Sequence, residues 1–197
     1  MTRAKGGVAE STTALSVTYL LGRQGKRVLL IDADPQNAIT RHFIEGESHR
    51  PLRDLMLSQA TVSEVTVPAY PGVDLIPSEL RLQMIEKELA DENNPLFILQ
   101  DLLLPLDYDL CVIDTPPWMG MMTKSALIAA DSVIVPTTLE KSAVEAIREH
   151  YASCITKTVI HKAGAQVMPL IISLRKLSDI GLTDKSEKRT IFELEVP

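Results

Sequence analysis

Apolar positions along this chain fall into two patterns that take turns. The first is a set of short strand-like runs at 27–32, 73–77, 109–114, 132–136 and 168–174. Those at 27–32, 109–114 and 132–136 lack apolar–polar alternation, which marks strands covered on both faces of a parallel sheet. The second is a set of helically spaced segments. Between 11 and 23, Ala14, Leu15, Val17, Thr18, Leu20 and Leu21 predict a helix buried on most of its surface, with Gly22 and Gly25 supplying its stop. Residues 80–89 predict an amphipathic helix with Glu86, Lys87 and Glu88 on the wet side; 91–95 break it, and 96–104 begin another. A short helix at 52–57, one ending at 126–130 and a long one at 141–162 complete the series, while 41–72 otherwise shows little periodicity. Strands alternating with helices predict a single doubly wound α/β domain over 1–197, a mostly parallel sheet with helices on both faces.

Composition changes this picture little. The 197 residues are 45% hydrophobic and 23% charged, ordinary for a globular domain, and only 4% aromatic, so the core must come from Leu, Ile, Val and Ala. Of the net charge of −6, residues 1–140 carry −8 and 141–197 carry +2, an excess too small to argue nucleic-acid binding by itself. Cys111 and Cys154 match no metal or redox spacing, and the four histidines are scattered, which predicts a reduced, cytoplasmic protein. No apolar run approaches the 18 residues of a membrane span, and no leader-like segment opens the chain.

Chemistry gathers in three places. Lys5-Gly6-Gly7-Val8-Ala9-Glu10-Ser11-Thr12 is glycine-rich and runs straight into the first predicted helix. Paired glycines let backbone N–H groups approach phosphate oxygens, the helix N-terminus favours an anion, and Ser11 and Thr12 offer hydroxyls for magnesium and phosphate. Asp32 and Asp34, in Asp32-Ala33-Asp34-Pro35-Gln36, end one buried strand, and Asp114, in Asp114-Thr115-Pro116-Pro117, ends another. Ligands of open α/β sheets bind outside the carboxyl ends of the strands, so these carboxylates are well placed to hold a metal and orient a water. Trp118, just after the Pro-Pro turn, is expected to pack in its loop.

Taken together, the three motifs resemble the ParA branch of the ParA/MinD family of deviant P-loop ATPases. The family loop reads K-G-G-x-G-K-[ST]-T; Lys5, Gly6, Gly7, Val8, Ser11 and Thr12 match it, whereas Ala9 and Glu10 stand where it has Gly-Lys. The resemblance implies ATP and Mg2+ as cofactors. It implies that Lys5 reaches a partner's phosphates across a homodimer formed on ATP binding, and that Ser11 ligates magnesium with Asp32 and Asp114 in support. Asp34 then orients the attacking water. A ParB-like partner protein, nonspecific DNA and a role in positioning DNA or other cargo follow from the same resemblance. It covers essentially the whole chain. Relative to the family pattern, the chain is expected to lack the strand that feeds the loop, which would open a gap in the sheet, and the C-terminal elements.

Glu10 sets up a competing expectation. Two unit charges about 4 Å apart interact by roughly 4 kcal/mol at an effective dielectric near 20, so an acid in place of the phosphate-binding lysine works strongly against a nucleotide. A catalytically degraded relative serving as a binding module is therefore the alternative to an active ATPase. An ATP-using biosynthetic enzyme of the wider P-loop group, such as an amidoligase or reductase, is the third; it would want a glutaminase domain or an iron–sulfur cysteine set.

Overall fold

The computed structural model describes residues 10–46, 49–134 and 171–173. Helix α1 (Glu10–Arg23) leads into strand β1 (Val28–Asp32). Three short helices follow, α2 (Ala38–Phe43), α3 (Leu52–Met56) and α4 (Val62–Val65). Strands β2 (Val67–Tyr70) and β3 (Val73–Ile76) form a hairpin. After it come α5 (Ile85–Glu88) and α6 (Ile98–Leu103), each preceded by a 3-10 turn, then β4 (Leu110–Asp114) and α7 (Met121–Ala129). The short strands β5 (Ser132–Val133) and β6 (Ile171–Ser173) complete a six-stranded sheet in the order β2-β3-β1-β4-β6-β5.

The predicted α/β architecture is present, with a mixed sheet. Its centre, β3-β1-β4, is parallel, and β2 and β6 pair antiparallel on either side. All five residues of β1 are buried, because alternate side chains feed two different apolar layers. Leu29 and Ile31 join Ile76 and Ile113 in the layer covered by α3, α6 and α7. Val28 and Leu30 join Leu75, Leu110 and Val112 in the layer beneath α1 and α2. That is why the strand reads as a continuous apolar run rather than an alternating one. The gap expected from a missing first strand does not appear beside β4, whose outer edge pairs with β6.

Two helices differ from expectation. Helix α1 lies on the sheet through a single stripe, Ala14, Thr18 and Leu21, while Leu20 is 57% exposed and Tyr19 40%. A helix on the outside of a two-layer contact buries one face, so the apolar residues on its other side stay in solvent. The predicted helix at 80–89 is broken into a 3-10 turn (Leu80–Met84) and a single α-turn, although Leu82, Ile85 and Leu89 are buried on the expected spacing. The helix expected at 141–162, residues 135 and 136 of the run at 132–136 and most of the run at 168–174 lie outside the described residues. No helix among the described residues is long and apolar enough to cross a membrane.

Helix α1 ends as expected, and its ending fixes how it sits. Gly25 adopts φ +80°, the Lys26 N–H donates to the Leu21 carbonyl and the Gly25 N–H donates to the Gly22 carbonyl. This is the Schellman arrangement that satisfies the last free carbonyls of a helix. Gly22 is needed for close approach: a Cβ there would lie 2.7 Å from Val73 Cγ2 and 2.8 Å from the Pro71 carbonyl oxygen. Alanine would gain about 1 kcal/mol of helix propensity but would have to displace backbone of the β2–β3 turn. Gly22→Ala is expected to destabilise the domain by about 1–2 kcal/mol in urea unfolding; an unchanged midpoint would show that the turn yields freely.

Candidate active site at the carboxyl edge of the sheet

The site is built by strand register. β1 and β4 run parallel with Asp32 opposite Asp114, so two carboxylates stand side by side at the strand tips. Both continue the series Val28–Leu30 and Leu110–Val112, which places them on the α1 and α2 side of the sheet. Each is then met by a hydroxyl from a different helix.

Asp114, 2% exposed, is met by α1. The Ser11 hydroxyl, one residue into the helix, donates to Asp114 Oδ2 at 2.7 Å. Asp32, fully buried, is met by α2: its Oδ2 accepts the Thr40 N–H at 2.8 Å and the Thr40 hydroxyl at 2.7 Å, and its Oδ1 accepts the Asp34 N–H at 3.2 Å. Burial pushes the Asp32 carboxyl up to about 6, with the Thr40 hydrogen bonds pulling against it. Asp34, on the turn beyond β1, is partly buried. Its Oδ1 accepts the Gln36 N–H at 2.8 Å, and burial raises its carboxyl above the usual carboxylate range. The Ser78 hydroxyl donates to the Asp34 carbonyl at 2.8 Å, and the Ser78 N–H donates to Thr40 Oγ1 at 2.7 Å.

Four of the residues singled out from the sequence, Ser11, Asp32, Asp34 and Asp114, thus share one edge of the sheet. Glu10 opens α1 and Thr12, in its first turn, is exposed; residues 5–9 lie outside the described residues. Trp118 is 48% exposed rather than packed away: its carbonyl accepts the Thr123 hydroxyl at 2.7 Å and its ring lies over Gly120. Sequence reading missed Thr40 and Ser78. Both are isolated hydroxyls outside any motif, Thr40 after the Asp-Pro-Gln turn and Ser78 between the predicted strand at 73–77 and the predicted helix at 80–89, and only the fold brings them within reach of Asp32 and Asp34.

The donor set suits magnesium held jointly with phosphate. Mg2+ takes hard oxygens, keeps several waters, and commonly uses one or two protein ligands plus substrate phosphates. Ser11 Oγ and Asp114 Oδ2 are such a pair, at a helix N-terminus that favours an anion. Among the described residues no group of three or more His, Cys, Asp or Glu side chains gathers as a self-sufficient metal cage. Both oxygens of Asp32 accept protein donors, Oδ2 from Thr40 of α2 and Oδ1 from the Asp34 N–H.

Comparison with known proteins agrees with this geometry. The AAA_31 family model, described as an AAA domain, matches residues 1–168. The chromosome partitioning protein ParA of Caulobacter vibrioides is 36% identical over 152 residues. The chain belongs to the ParA family of P-loop ATPases. The Caulobacter alignment takes in 74% of this chain and 57% of that protein, so the chain spans less than two thirds of its curated relative. A plasmid partition protein from Borrelia burgdorferi superposes with a TM-score of 0.71 at 32% identity, covering 79% of this chain and 71% of that one. Cobyrinic acid a,c-diamide synthase from Mycobacterium smegmatis, solved with an ATP analogue and magnesium, gives 0.71 at 31% identity, covering 80% and 67%. Solved structures of this fold therefore hold nucleotide and magnesium.

The raised carboxyl of Asp32 has a pH consequence. The folded state binds this proton more tightly than the unfolded chain, whose Asp titrates near 3.8. The favourable contribution is therefore full below about pH 4 and is lost as pH rises to about 6, a swing on the order of 3 kcal/mol at most. Asp32→Asn keeps an oxygen for Thr40 without the ionisation. Unfolding free energies measured from pH 4 to 6.5 should show the wild type losing stability relative to Asp32→Asn across that window. Parallel curves would place the Asp32 carboxyl in its ordinary range.

Proposed function

We propose that this chain is the nucleotide-binding part of a ParA-like partition ATPase, in which ATP binding drives homodimerisation and hydrolysis resets it. The observation that carries the reading is the 2.7 Å bond from Ser11 to Asp114 at the N-terminus of α1, with Asp34 on the turn just beyond the neighbouring strand β1. In the family such an edge receives the phosphates and magnesium, and bound magnesium supplies charge neutralisation at the phosphates.

The chain's own residues supply the rest. Ser11 Oγ and Asp114 Oδ2 are the adjacent oxygens that would hold the metal, which would supply charge neutralisation at the phosphates. The family resemblance assigns the phosphates to the backbone N–H groups of Gly6, Gly7, Val8, Ala9, Glu10, Ser11 and Thr12, and assigns Lys5 to those of the partner protomer. Asp34, as a carboxylate, accepts a hydrogen bond from water and orients it, the task that needs its exposed rather than its buried neighbour. Asp32 acts from behind, holding α2. Cytoplasmic location, association with the nucleoid through nonspecific DNA contacts and a ParB-like partner complete the reading. It draws on the partition role of the Caulobacter and Borrelia relatives.

A second reading has a specific observation behind it. Glu10 is the first residue of α1, where the family places its phosphate-binding lysine. A chain with an acid there would serve as a non-hydrolysing binding module. The amidoligase alternative has a structural neighbour in the diamide synthase, but the curated sequence relative points to partition.

One experiment separates these. Fluorescent ATP binding and magnesium-dependent hydrolysis are measured for the chain, for Asp34→Ala, and for Ala9→Gly with Glu10→Lys. Hydrolysis that Asp34→Ala abolishes establishes the ATPase and sinks the non-hydrolysing module. A silent chain in which the double substitution tightens nucleotide binding by about 100-fold or more, the scale of the lost charge interaction, shows that Glu10 has switched the activity off.

A further inference from the structure

We propose that Thr40 and Ser78 are positioning residues that hold Asp34 for its work on the attacking water, through a buried relay joining three segments of the fold. The inference rests on the reading of Asp34 given above and goes beyond it by assigning what fixes that residue in place.

The relay has a defined direction. The Ser78 N–H can only donate, so Thr40 Oγ1 is the acceptor of their 2.7 Å bond. The single Thr40 hydroxyl proton is then directed at Asp32 Oδ2, 2.7 Å away, beside the Thr40 N–H at 2.8 Å. Asp32 in turn takes the Asp34 N–H on its other oxygen, and the Ser78 hydroxyl closes the circuit on the Asp34 carbonyl. Asp34 is therefore gripped on both sides of its own backbone, from the tip of β1 through its N–H and from the segment after β3 through its carbonyl. Its carboxylate receives only the local Gln36 N–H among the hydrogen bonds described for it, so its aim depends on where that backbone is held.

Burial makes the grip effective. Asp32 is 0% exposed, Ser78 1% and Thr40 2%, so water has no access to replace a missing partner. A methyl in place of either hydroxyl would fill the space but leave a buried group without its bond. Thr40 and Ser78 are 38 residues apart, and the Ser78 N–H reaches Thr40 Oγ1 only because α2 folds back over β1 beside the end of β3. Packing alone would not require oxygen at both positions. The convergence of both ends of the relay on the Asp34 peptide is what points to positioning, and a misplacement of about 1 Å at a reacting group costs on the order of 100-fold in rate.

The test uses Ser78→Ala, Thr40→Val and the conservative Thr40→Ser in the full chain, with hydrolysis followed in whichever background turns over ATP, the native loop or Ala9→Gly with Glu10→Lys. Amide hydrogen exchange at Asp34, Gln36 and Asn37 is read without nucleotide. Exchange there should quicken at least about 10-fold in Ser78→Ala and Thr40→Val and stay near wild type in Thr40→Ser. Turnover should fall about 10- to 100-fold in the first two with nucleotide Kd changed by less than about threefold, and Thr40→Ser should restore it. Unaltered exchange in both hydroxyl deletions overturns the relay. Loss of Kd, turnover and unfolding free energy in parallel, with no rescue by serine, overturns positioning in favour of a purely structural role. Quickened exchange together with hydrolysis indifferent to Asp34→Ala locates the error instead in the catalytic reading of Asp34.

Discussion

The parallel pairing of β1 with β4 is the constraint on which the site depends. It sets Asp32 opposite Asp114 in register at the carboxyl edge, and a slip of one residue would turn one of them to the opposite face of the sheet. The register is held by what lies below the tips. Leu29 and Ile31 pack with Ile113 into one layer while Leu30 and Val112 pack into the other, so a shifted strand would misplace its whole apolar set. The ladder continues past β1, where the Ala33 N–H donates to the Asp114 carbonyl at 2.8 Å. Core packing thus aims the chemistry.

Two carboxylates so close together and so buried need donors, and the fold assigns each its own. Asp114 receives Ser11 from α1, and Asp32 receives Thr40 from α2. The division separates roles. The pair that shares α1 sits at a helix N-terminus, where an anion is favoured and the serine hydroxyl can turn to a metal. The pair that shares α2 is enclosed, and burial holds the Asp32 carboxyl up near 6.

Much of this was legible in the chain. The buried runs ending in Asp32 and Asp114 announced parallel strands with acids at their tips, because a two-sided strand leaves no polar alternation. Gly25 announced the end of α1, and it takes the left-handed turn that ending needs. What misled was amphipathicity. The apolar richness of 11–23 suggested a deeply buried helix, yet α1 lies against one layer and exposes Tyr19 and Leu20. Thr40 and Ser78 carried no readable signal, since a lone hydroxyl outside any motif is usually solvated and only its surroundings reveal otherwise.

By itself, then, the sequence determined the two-sided central strands, the acids at their tips and the anomaly at Glu10. These are local matters of run length, turn chemistry and motif spacing. The tertiary structure decided which acid meets which hydroxyl, that Asp32 is sealed while Asp34 stays partly open, and that segments 38 residues apart converge on one peptide. Those are questions of distance and burial, and a chain acquires them only when its two apolar layers close over the sheet.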